Sequence, residues 1–224
     1  MTELYITPDN IEDKTSQWLS RIASVNRSHL NLGSDKAALL VIDMQRSFTG
    51  PDALEPMTTA AAILPNVRRL IAGFRKAQRP VIFTRHIHSQ DGSDAGILGR
   101  WWQDMILEGS PESEIDSRIA PSPGERIITK HRYSAFYNTD LEVILRGLNI
   151  EDLVISGVMT NLCCESTARD AFYRDYRVFF TADATATYCE EMHLASLLNL
   201  AYGFATIATT DRVLSSFKDS SCSG

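Results

Sequence analysis

Three side chains whose types suit nucleophilic catalysis occur far apart along the chain, as Asp43, Lys130 and Cys163. A cysteine supplies a nucleophile, a carboxylate beside it can take its proton and return it to a leaving amine, and a lysine keeps that carboxylate ionised. Each also has an ordinary explanation, as a buried small hydrophobe, a helix cap and a solvated surface residue respectively. Chemistry at these residues therefore requires a fold that brings all three together.

The surroundings of Cys163 favour a reactive thiol. A helix is predicted to start near this residue, with Thr160 or Asn161 as its cap, which puts Cys163 in the first turn. Free backbone N–H groups and the positive end of the helix dipole would favour a thiolate there and could stabilise an oxyanion. The adjacent Cys164 projects about 100° around the helix, so both cysteines cannot face one site.

Strands and helices alternate from about residue 36 onward. The run Ala37–Ile42 is continuously apolar and ends at Asp43, which is typical of a strand buried on both faces. Pro65 is expected in the first turn of the helix that follows, and Thr139 and Glu142 form a capping box before Gly147. The further strands are predicted at 80–84, 126–128, 153–156, 178–181 and 204–208, and the helices at 65–76, 139–147, 163–174 and 194–203.

This alternation predicts an α/β protein of the Rossmann-like, doubly wound kind, a three-layer α/β/α sandwich around a six-stranded parallel sheet. Residues 1–35 are expected to form an N-terminal extension with one amphipathic helix, and residues 36–224 the main domain. Ligands of such sheets bind beyond the carboxyl ends of the strands. Because Asp43, Lys130 and Cys163 follow the first, third and fourth strands, we expect them to lie at that edge.

Bulk properties exclude several classes of protein. The formal net charge of -6 argues against a nucleic-acid partner, since phosphate binding normally requires a basic excess. No apolar run approaches the roughly 20 residues that span a bilayer, and the first ten residues do not resemble a signal peptide. The four cysteines, two of them adjacent, do not form the framework of a disulfide-rich secreted domain. We therefore expect a cytoplasmic protein with no membrane partner.

Several segments resemble the isochorismatase-like hydrolase superfamily. The first-strand segment LLVIDMQRSF, residues 39–48, and the segment VISGVMTNLCCESTARDA, residues 154–171, resemble two motifs of these enzymes. Lys130 followed by RYSAF at 132–136 is similar to a third motif, and Asp183-Ala184 also fits. The resemblance extends over about residues 36–215, and its motifs occur in the family's order.

The resemblance implies a mechanism as well as a fold. It implies a catalytic triad at Asp43, Lys130 and Cys163, a cis peptide bond before Met159, and an oxyanion hole built from Met159 and Cys163. The implied reaction is hydrolysis of a C–N bond in a small amide, N-carbamoyl or ureido substrate. It proceeds through a cysteine thioester and releases ammonia or a small amine. The implied assembly is a homodimer or homotetramer, and the implied partner is a small-molecule substrate.

Side chains from the same loops are candidates for substrate binding. Phe48, Tyr133 and Phe136 are predicted to supply apolar walls. A second set is predicted either to meet a substrate carboxylate or to be solvated at the surface, and it consists of Arg85, His86 and Arg132. Trp101 and the following tryptophan lie in the long unpatterned stretch 86–125, where they form either a lid or ordinary packing.

A metal site is not expected. Nicotinamidases of this superfamily bind zinc through an Asp-x-His pair and a further histidine, but the corresponding stretch here is His86-Ile87-His88, without the aspartate. No third ligand is evident in the sequence, since His131 directly follows Lys130. We therefore predict neither metal nor other cofactor.

Two alternatives to C–N hydrolysis remain open at this point. The extension and the 130–136 segment are similar to superfamily members that cleave the vinyl ether of isochorismate, with the aspartate as general acid. In those members another residue replaces the cysteine, so the presence of Cys163 favours amide cleavage. The adjacent Cys163 and Cys164 also suggest a non-enzymatic thiol sensor, but that leaves Asp43 and Lys130 without a role.

Overall fold

A parallel β-sheet forms the centre of the protein. The computed structural model describes residues 4–28, 30–50, 57–102 and 104–219. The sheet has the strand order β3-β2-β1-β4-β5-β6, and every neighbouring pair is parallel. Its strands are β1 (Ala37–Ile42), β2 (Val81–His86), β3 (Arg126–Lys130), β4 (Asp152–Val158), β5 (Arg177–Ala186) and β6 (Thr206–Ala208).

Helices cover both faces of this sheet. On one face α3 packs with α8, and on the other α7 packs with α1 and α6. The predicted three-layer α/β/α fold with a six-stranded parallel sheet is therefore confirmed. The helices are α1 (Ile11–Ile22), α2 (Arg46–Thr49), α3 (Thr58–Lys76), α4 (Leu98–Trp101), α5 (Leu141–Gly147), α6 (Glu165–Phe172), α7 (Glu190–Gly203) and α8 (Thr210–Asp219).

The continuous apolar runs form the strands at the middle of the sheet. All residues of β1 and of β4 are buried, as expected for strands covered by helices on both faces. The β3 strand lies at the edge, where Ile127 is exposed. The apolar strand patterns thus placed the strand ends that carry the chemistry close to their observed positions.

Helix α3 differs from its prediction. It begins at Thr58, so Pro65 lies in its interior, and the expectation that Pro65 starts the helix is wrong. A proline removes one intrahelical hydrogen bond. Burial of Ala60 and Ile63, which lie on the turn before it, stabilises the extra length. The C-terminal helix α8 was not predicted either.

The N-terminal segment packs against the main domain. Ile11, Trp18 and Ile22 of α1 are buried, and α1 contacts both α7 and β5. Among the described residues, no helix combines the length and the apolar character needed to cross a bilayer.

Candidate active site

Three strand ends lie near the point where the order of the strands along the chain reverses. The chain crosses from β3 at one edge to β4 beside β1, so β1 and β4 flank the switch point of the topology. Asp43 directly follows β1, Lys130 ends β3, and Cys163 follows β4 in the next turn. Ligand sites of this architecture occur at the switch point, and the sequence predicted that the three side chains follow the carboxyl ends of their strands.

The three side chains meet in one buried cluster. The Lys130 Nζ lies 2.7 Å from Asp43 Oδ2 and 3.3 Å from Cys163 Sγ. It also donates to the carbonyl of Arg132 at 3.1 Å. Lys130 is fully buried, and Asp43 and Cys163 are 1 % and 5 % exposed. Because the site is shielded from water, the charges of Asp43 and Lys130 interact more strongly with a bound group than they would in solvent.

Asp43 is held by its own backbone and by strand β2. Its φ of 47° lies in the left-handed region, which aspartate tolerates better than most residues. The Thr84 hydroxyl donates to Asp43 Oδ1 at 2.6 Å and accepts from the Asp43 N–H at 3.1 Å. Thr84 lies near the end of β2, the neighbour of β1, and sequence reasoning missed its role. Its position in the adjacent strand was the available signal.

The close contact between β1 and β4 requires a glycine. Gly157 has a φ of +113°, and a Cβ built on it would lie 2.1 Å from the Ile42 carbonyl oxygen. A side chain at this position would therefore push β4 away from the strand end that carries Asp43.

The turn that carries Cys163 differs from the expected helix start. Residues Thr160–Cys164 form a π-helical turn, and the regular helix begins at Glu165. The Met159 carbonyl accepts from the N–H groups of both Leu162 and Cys164, at 3.1 Å each. The Val158–Met159 peptide bond is cis, as the family resemblance implied. Cys164 is fully buried in the core, away from solvent.

The predicted cap of this helix is wrong. Neither Thr160 nor Asn161 makes a side-chain cap, because both side chains bond elsewhere. The Thr160 hydroxyl lies 2.9 Å from His193 Nδ1, and Asn161 Oδ1 accepts from the Thr187 hydroxyl at 2.6 Å.

The surroundings of Cys163 act mainly against its charged form. Burial raises the pKa of Cys163 to about 12, although Lys130 acts in the opposite direction. Burial lowers the pKa of Lys130, but the Asp43 carboxylate and Cys163 outweigh it, so the net shift is upward. The direction of this shift is opposite to the one that the sequence pattern indicated, and the preformed thiolate stays a prediction. A base must remove the thiol proton during attack, and Asp43 is adjacent.

The proposed substrate residues divide into two groups. His86 lies beside the cluster, with its Nδ1 3.5 Å from Lys130 Nζ, and burial followed by the Lys130 charge lowers its pKa well below the usual value. Gln45 fixes the His86 backbone by accepting from its N–H at 2.8 Å. Tyr133 and Phe48 are partly buried against the core, and both remain candidates for the pocket wall.

Trp101 and Phe136 have other surroundings. Trp101 is 73 % exposed, and the neighbouring Trp102 donates to the Tyr133 hydroxyl at 2.9 Å. The Phe136 ring stacks on Tyr176 with the centroids 6.0 Å apart, and the Arg174 guanidinium covers it. Phe136 therefore has the contacts of a packed core aromatic, and we do not carry it into the proposed pocket.

Part of the long segment after β2 packs beside the residues that follow Asp43. The N–H of Asp116 donates to the Met44 carbonyl at 2.9 Å, and the N–H of Arg46 donates to Glu114 at 2.9 Å. Residues 114–116 thus pack on the residues that follow Asp43.

A histidine cluster includes two residues of the segment 87–125, and it consists of His86, His88, Asp94 and His131. The Asp94 carboxylate lies 3.1 Å from both His88 Nδ1 and His131 Nδ1. The statement that no third ligand is available is therefore wrong, because the fold brings Asp94 and His131 to His88. Sequence reasoning missed Asp94 because a loop delivers it.

The histidine cluster offers ligand atoms, and its members already contact one another and the backbone. His131 Nδ1 lies 2.7 Å from the Ile87 carbonyl, and donation there leaves Nε2 as the nitrogen of His131 that could ligate a metal. Asp43, His86 and Cys163 form a second group of potential ligands, but the Lys130 ammonium already contacts both Asp43 and Cys163. We derive no step through a metal.

Two surface cavities lie at the opposite end of the sheet. Their volumes are about 520 and about 800 Å³, and they are lined by residues at the amino ends of the strands, such as Arg177 and Thr206 for the first and Lys36 for the second. Neither is lined by Asp43, Lys130 or Cys163, so cavity size does not identify the site here. The buried charged cluster does.

Comparisons with known proteins identify the family and agree with the fold. The isochorismatase domain family matches residues 37–212. Nicotinamidase 3 of Arabidopsis thaliana is 46% identical over 181 residues, covering 79% of this chain and 86% of that protein. The crystal structure of a cysteine hydrolase from Pseudomonas syringae pv. phaseolicola 1448A has a TM-score of 0.81 and 30% identity, covering 87% of this chain and 97% of that one.

A second solved structure bears on the reaction type. N-carbamoylsarcosine amidase from Thermoplasma acidophilum has a TM-score of 0.69 and 31% identity, over 79% of this chain and 97% of that one. These relatives are hydrolases, and the match to the family covers most of the sequence. The chain belongs to the isochorismatase family and is a hydrolase.

Proposed function

We propose that this hydrolase cleaves the C–N bond of a small amide, N-carbamoyl or ureido substrate, with Cys163 as nucleophile. The observation that carries the proposal is the contact of one buried ammonium, that of Lys130, with both the Cys163 sulfur and the Asp43 carboxylate. The similarity to a nicotinamidase and to an N-carbamoylsarcosine amidase supports an amide substrate. A small primary carboxamide such as nicotinamide is the first candidate.

Acylation begins with a proton transfer. Asp43 removes the proton of Cys163 as the sulfur attacks the substrate carbonyl carbon, because burial raises the pKa of that thiol. Lys130 stabilises the negative charge that passes between the sulfur and the carboxylate. The backbone N–H groups of Met159 and Cys163 bind the developing oxyanion. Asp43 then donates the proton to the leaving nitrogen, and ammonia or a small amine departs.

Deacylation uses the same aspartate in the reverse sense. Asp43 removes a proton from a water molecule, which attacks the thioester, and the Cys163 thiol is regenerated with release of the acid. The net reaction consumes one water and needs no redox partner. Because the three side chains are buried, bulk water is excluded from the cluster.

An ammonia-release screen tests this function. The purified chain is assayed with nicotinamide, N-carbamoyl amino acids and ureido acids, and Cys163→Ala is the matched variant. We expect at least one of these to release ammonia, and we expect Cys163→Ala to keep the fold but lose turnover by a factor of at least about 10³.

The same variants separate the vinyl-ether alternative. Pyruvate release from isochorismate that survives Cys163→Ala but not Asp43→Ala would replace the proposed reaction with vinyl-ether cleavage. Reversible oxidation of Cys163 without turnover of any substrate would instead support the thiol sensor.

A further inference from the structure

A buried histidine lies behind the turn that carries the nucleophile. His193 of α7 is fully buried, and its Nδ1 lies 2.9 Å from the equally buried Thr160 hydroxyl. Thr160 directly follows Met159 and begins the π-helical turn that contains Cys163. One side-chain hydrogen bond therefore ties α7 to the segment between the two proposed oxyanion donors.

The N-terminal helix covers the other side of His193. The Trp18 ring lies 4.4 Å from the imidazole, centroid to centroid, and Trp18 is 1 % exposed. Its indole N–H donates to Glu190 Oε1 at 2.8 Å, and Lys14 forms an ion pair with Glu190 Oε2 at 2.8 Å. Glu190 begins α7, so α1 is fixed on α7 with Trp18 against the histidine.

A second contact from the N-terminal segment reaches the next residue of the turn. The Tyr5 hydroxyl accepts from the Thr187 N–H at 3.2 Å, and the Thr187 hydroxyl donates to Asn161 Oδ1 at 2.6 Å. The N-terminal segment thus supports Thr160 through His193 and Asn161 through Thr187.

The His193 ring is neutral around pH 7. Burial lowers the pKa of His193 to about 4, and the Ala182 backbone and Glu190 offset this only in part. A neutral imidazole can hold the Thr160 hydroxyl without adding a buried positive charge.

We propose that His193 and Trp18 are positioning residues, through which the N-terminal helix holds the Met159–Cys163 turn in the geometry that stabilises the oxyanion. Neither residue touches the reacting atoms. The inference rests on the proposed function, because it assigns a role to the oxyanion donors of that mechanism. Misplacement of such donors by about 1 Å can cost on the order of 10²-fold in rate.

Two substitutions at Thr160 test the contact. Thr160→Val keeps the shape and removes the hydroxyl, whereas Thr160→Ser keeps the hydroxyl and removes a methyl group. We expect Thr160→Val to lower kcat about 10- to 100-fold with KM changed less than about threefold, and Thr160→Ser to stay within about threefold of wild type. Circular dichroism and the melting temperature establish that both variants are folded at the assay temperature.

A matched control isolates the effect of lost stability. Phe74 packs edge-on against Phe217, with the ring centroids 4.9 Å apart, on the opposite face of the sheet. Phe74→Leu should lower the melting temperature without changing kcat below it. An equal loss of kcat in Phe74→Leu would show that general destabilisation explains the Thr160→Val result.

The N-terminal helix is tested through Trp18. Trp18→Ala should lower kcat in the same direction as Thr160→Val, whereas Trp18→Phe, which keeps a ring against His193, should restore most of it. Because both act through one contact, the double variant Trp18→Ala/Thr160→Val should lose little more than the worse single variant.

Thiol alkylation distinguishes a role in placing the oxyanion donors from a general structural role. Iodoacetamide reacts with the Cys163 sulfur without forming an oxyanion, so Thr160→Val should slow acylation by the amide but not alkylation. Parallel losses in both reactions, or a wild-type kcat in Thr160→Val, overturn the inference and leave the proposed function intact. If the wild-type chain releases no ammonia from any substrate, both fall together.

Discussion

Replacing Lys130 with methionine should leave Asp43 as a buried, unpaired carboxylate. Lys130 is fully buried and Asp43 is 1 % exposed, with 2.7 Å between Nζ and Oδ2. Removing one partner of such a pair typically costs about 3–5 kcal/mol, a large share of the roughly 5–15 kcal/mol that stabilises a domain. We therefore expect a folded but strongly destabilised variant.

Urea unfolding measures this cost. Lys130→Met should move the midpoint to lower urea with an unchanged slope, which marks a change in stability and not in the surface exposed on unfolding. The double variant Asp43→Asn/Lys130→Met should lose about 0.5–3 kcal/mol less than the sum of the single variants, because the second change removes the orphaned charge.

A surface pair provides the control. Lys36 and Glu151 form an ion pair with side chains 51% and 53% exposed, so Lys36→Met should cost no more than about 1 kcal/mol. If Lys130→Met costs as little as Lys36→Met, or if the double variant is additive, Asp43 and Lys130 do not form a coupled buried pair and the account of the site is refuted.

Three further outcomes are expected. Gly157→Ala should destabilise the protein by more than about 2 kcal/mol and reduce turnover, since the new Cβ would lie 2.1 Å from the Ile42 oxygen. Gly147→Ala is the control, because a Cβ there meets nothing within 4 Å. Equal urea midpoints for the two variants would contradict this prediction. Alkylation of Cys163 should keep accelerating above pH 9, because burial raises its pKa to about 12 and the thiolate fraction grows until that pH; a plateau below pH 8 would indicate a preformed thiolate. Prolonged dialysis against a chelator should leave amide turnover unchanged, since the proposed mechanism uses Asp43, Lys130 and Cys163 without a metal. Loss of activity restored by zinc would instead assign a role in turnover to the histidine cluster.

The sequence predicted the positions of site residues that follow strands better than the positions of those that lie in loops. Apolar runs between helices located β1 and β4. Because the carboxyl ends of parallel strands lie at one edge of the sheet, the approach of Asp43 to Cys163 followed from the topology. Asp94 reaches the histidine cluster from segment 87–125, whose path has no periodic signal. The helix α8 was missed although Val213 is buried on it.

Environment was also harder to predict than position. The sequence placed Cys163 at a helix start, but the depth of its burial, which reverses the expected shift of its pKa, depends on packing from distant segments. In the same way, Thr160 has the residue type of a helix cap. Its hydroxyl bonds instead to His193, 33 residues away, and no local pattern indicates that contact.

The central claim is that Cys163 carries the acyl group during turnover. Substrate is mixed with excess enzyme, the reaction is quenched with acid within milliseconds, and intact mass and peptide mapping locate any adduct. The account predicts a mass increase equal to the acyl group on the Cys163 peptide, absent in Cys163→Ala. An acyl group on Cys189, or continued ammonia release by Cys163→Ala without any adduct, would contradict it.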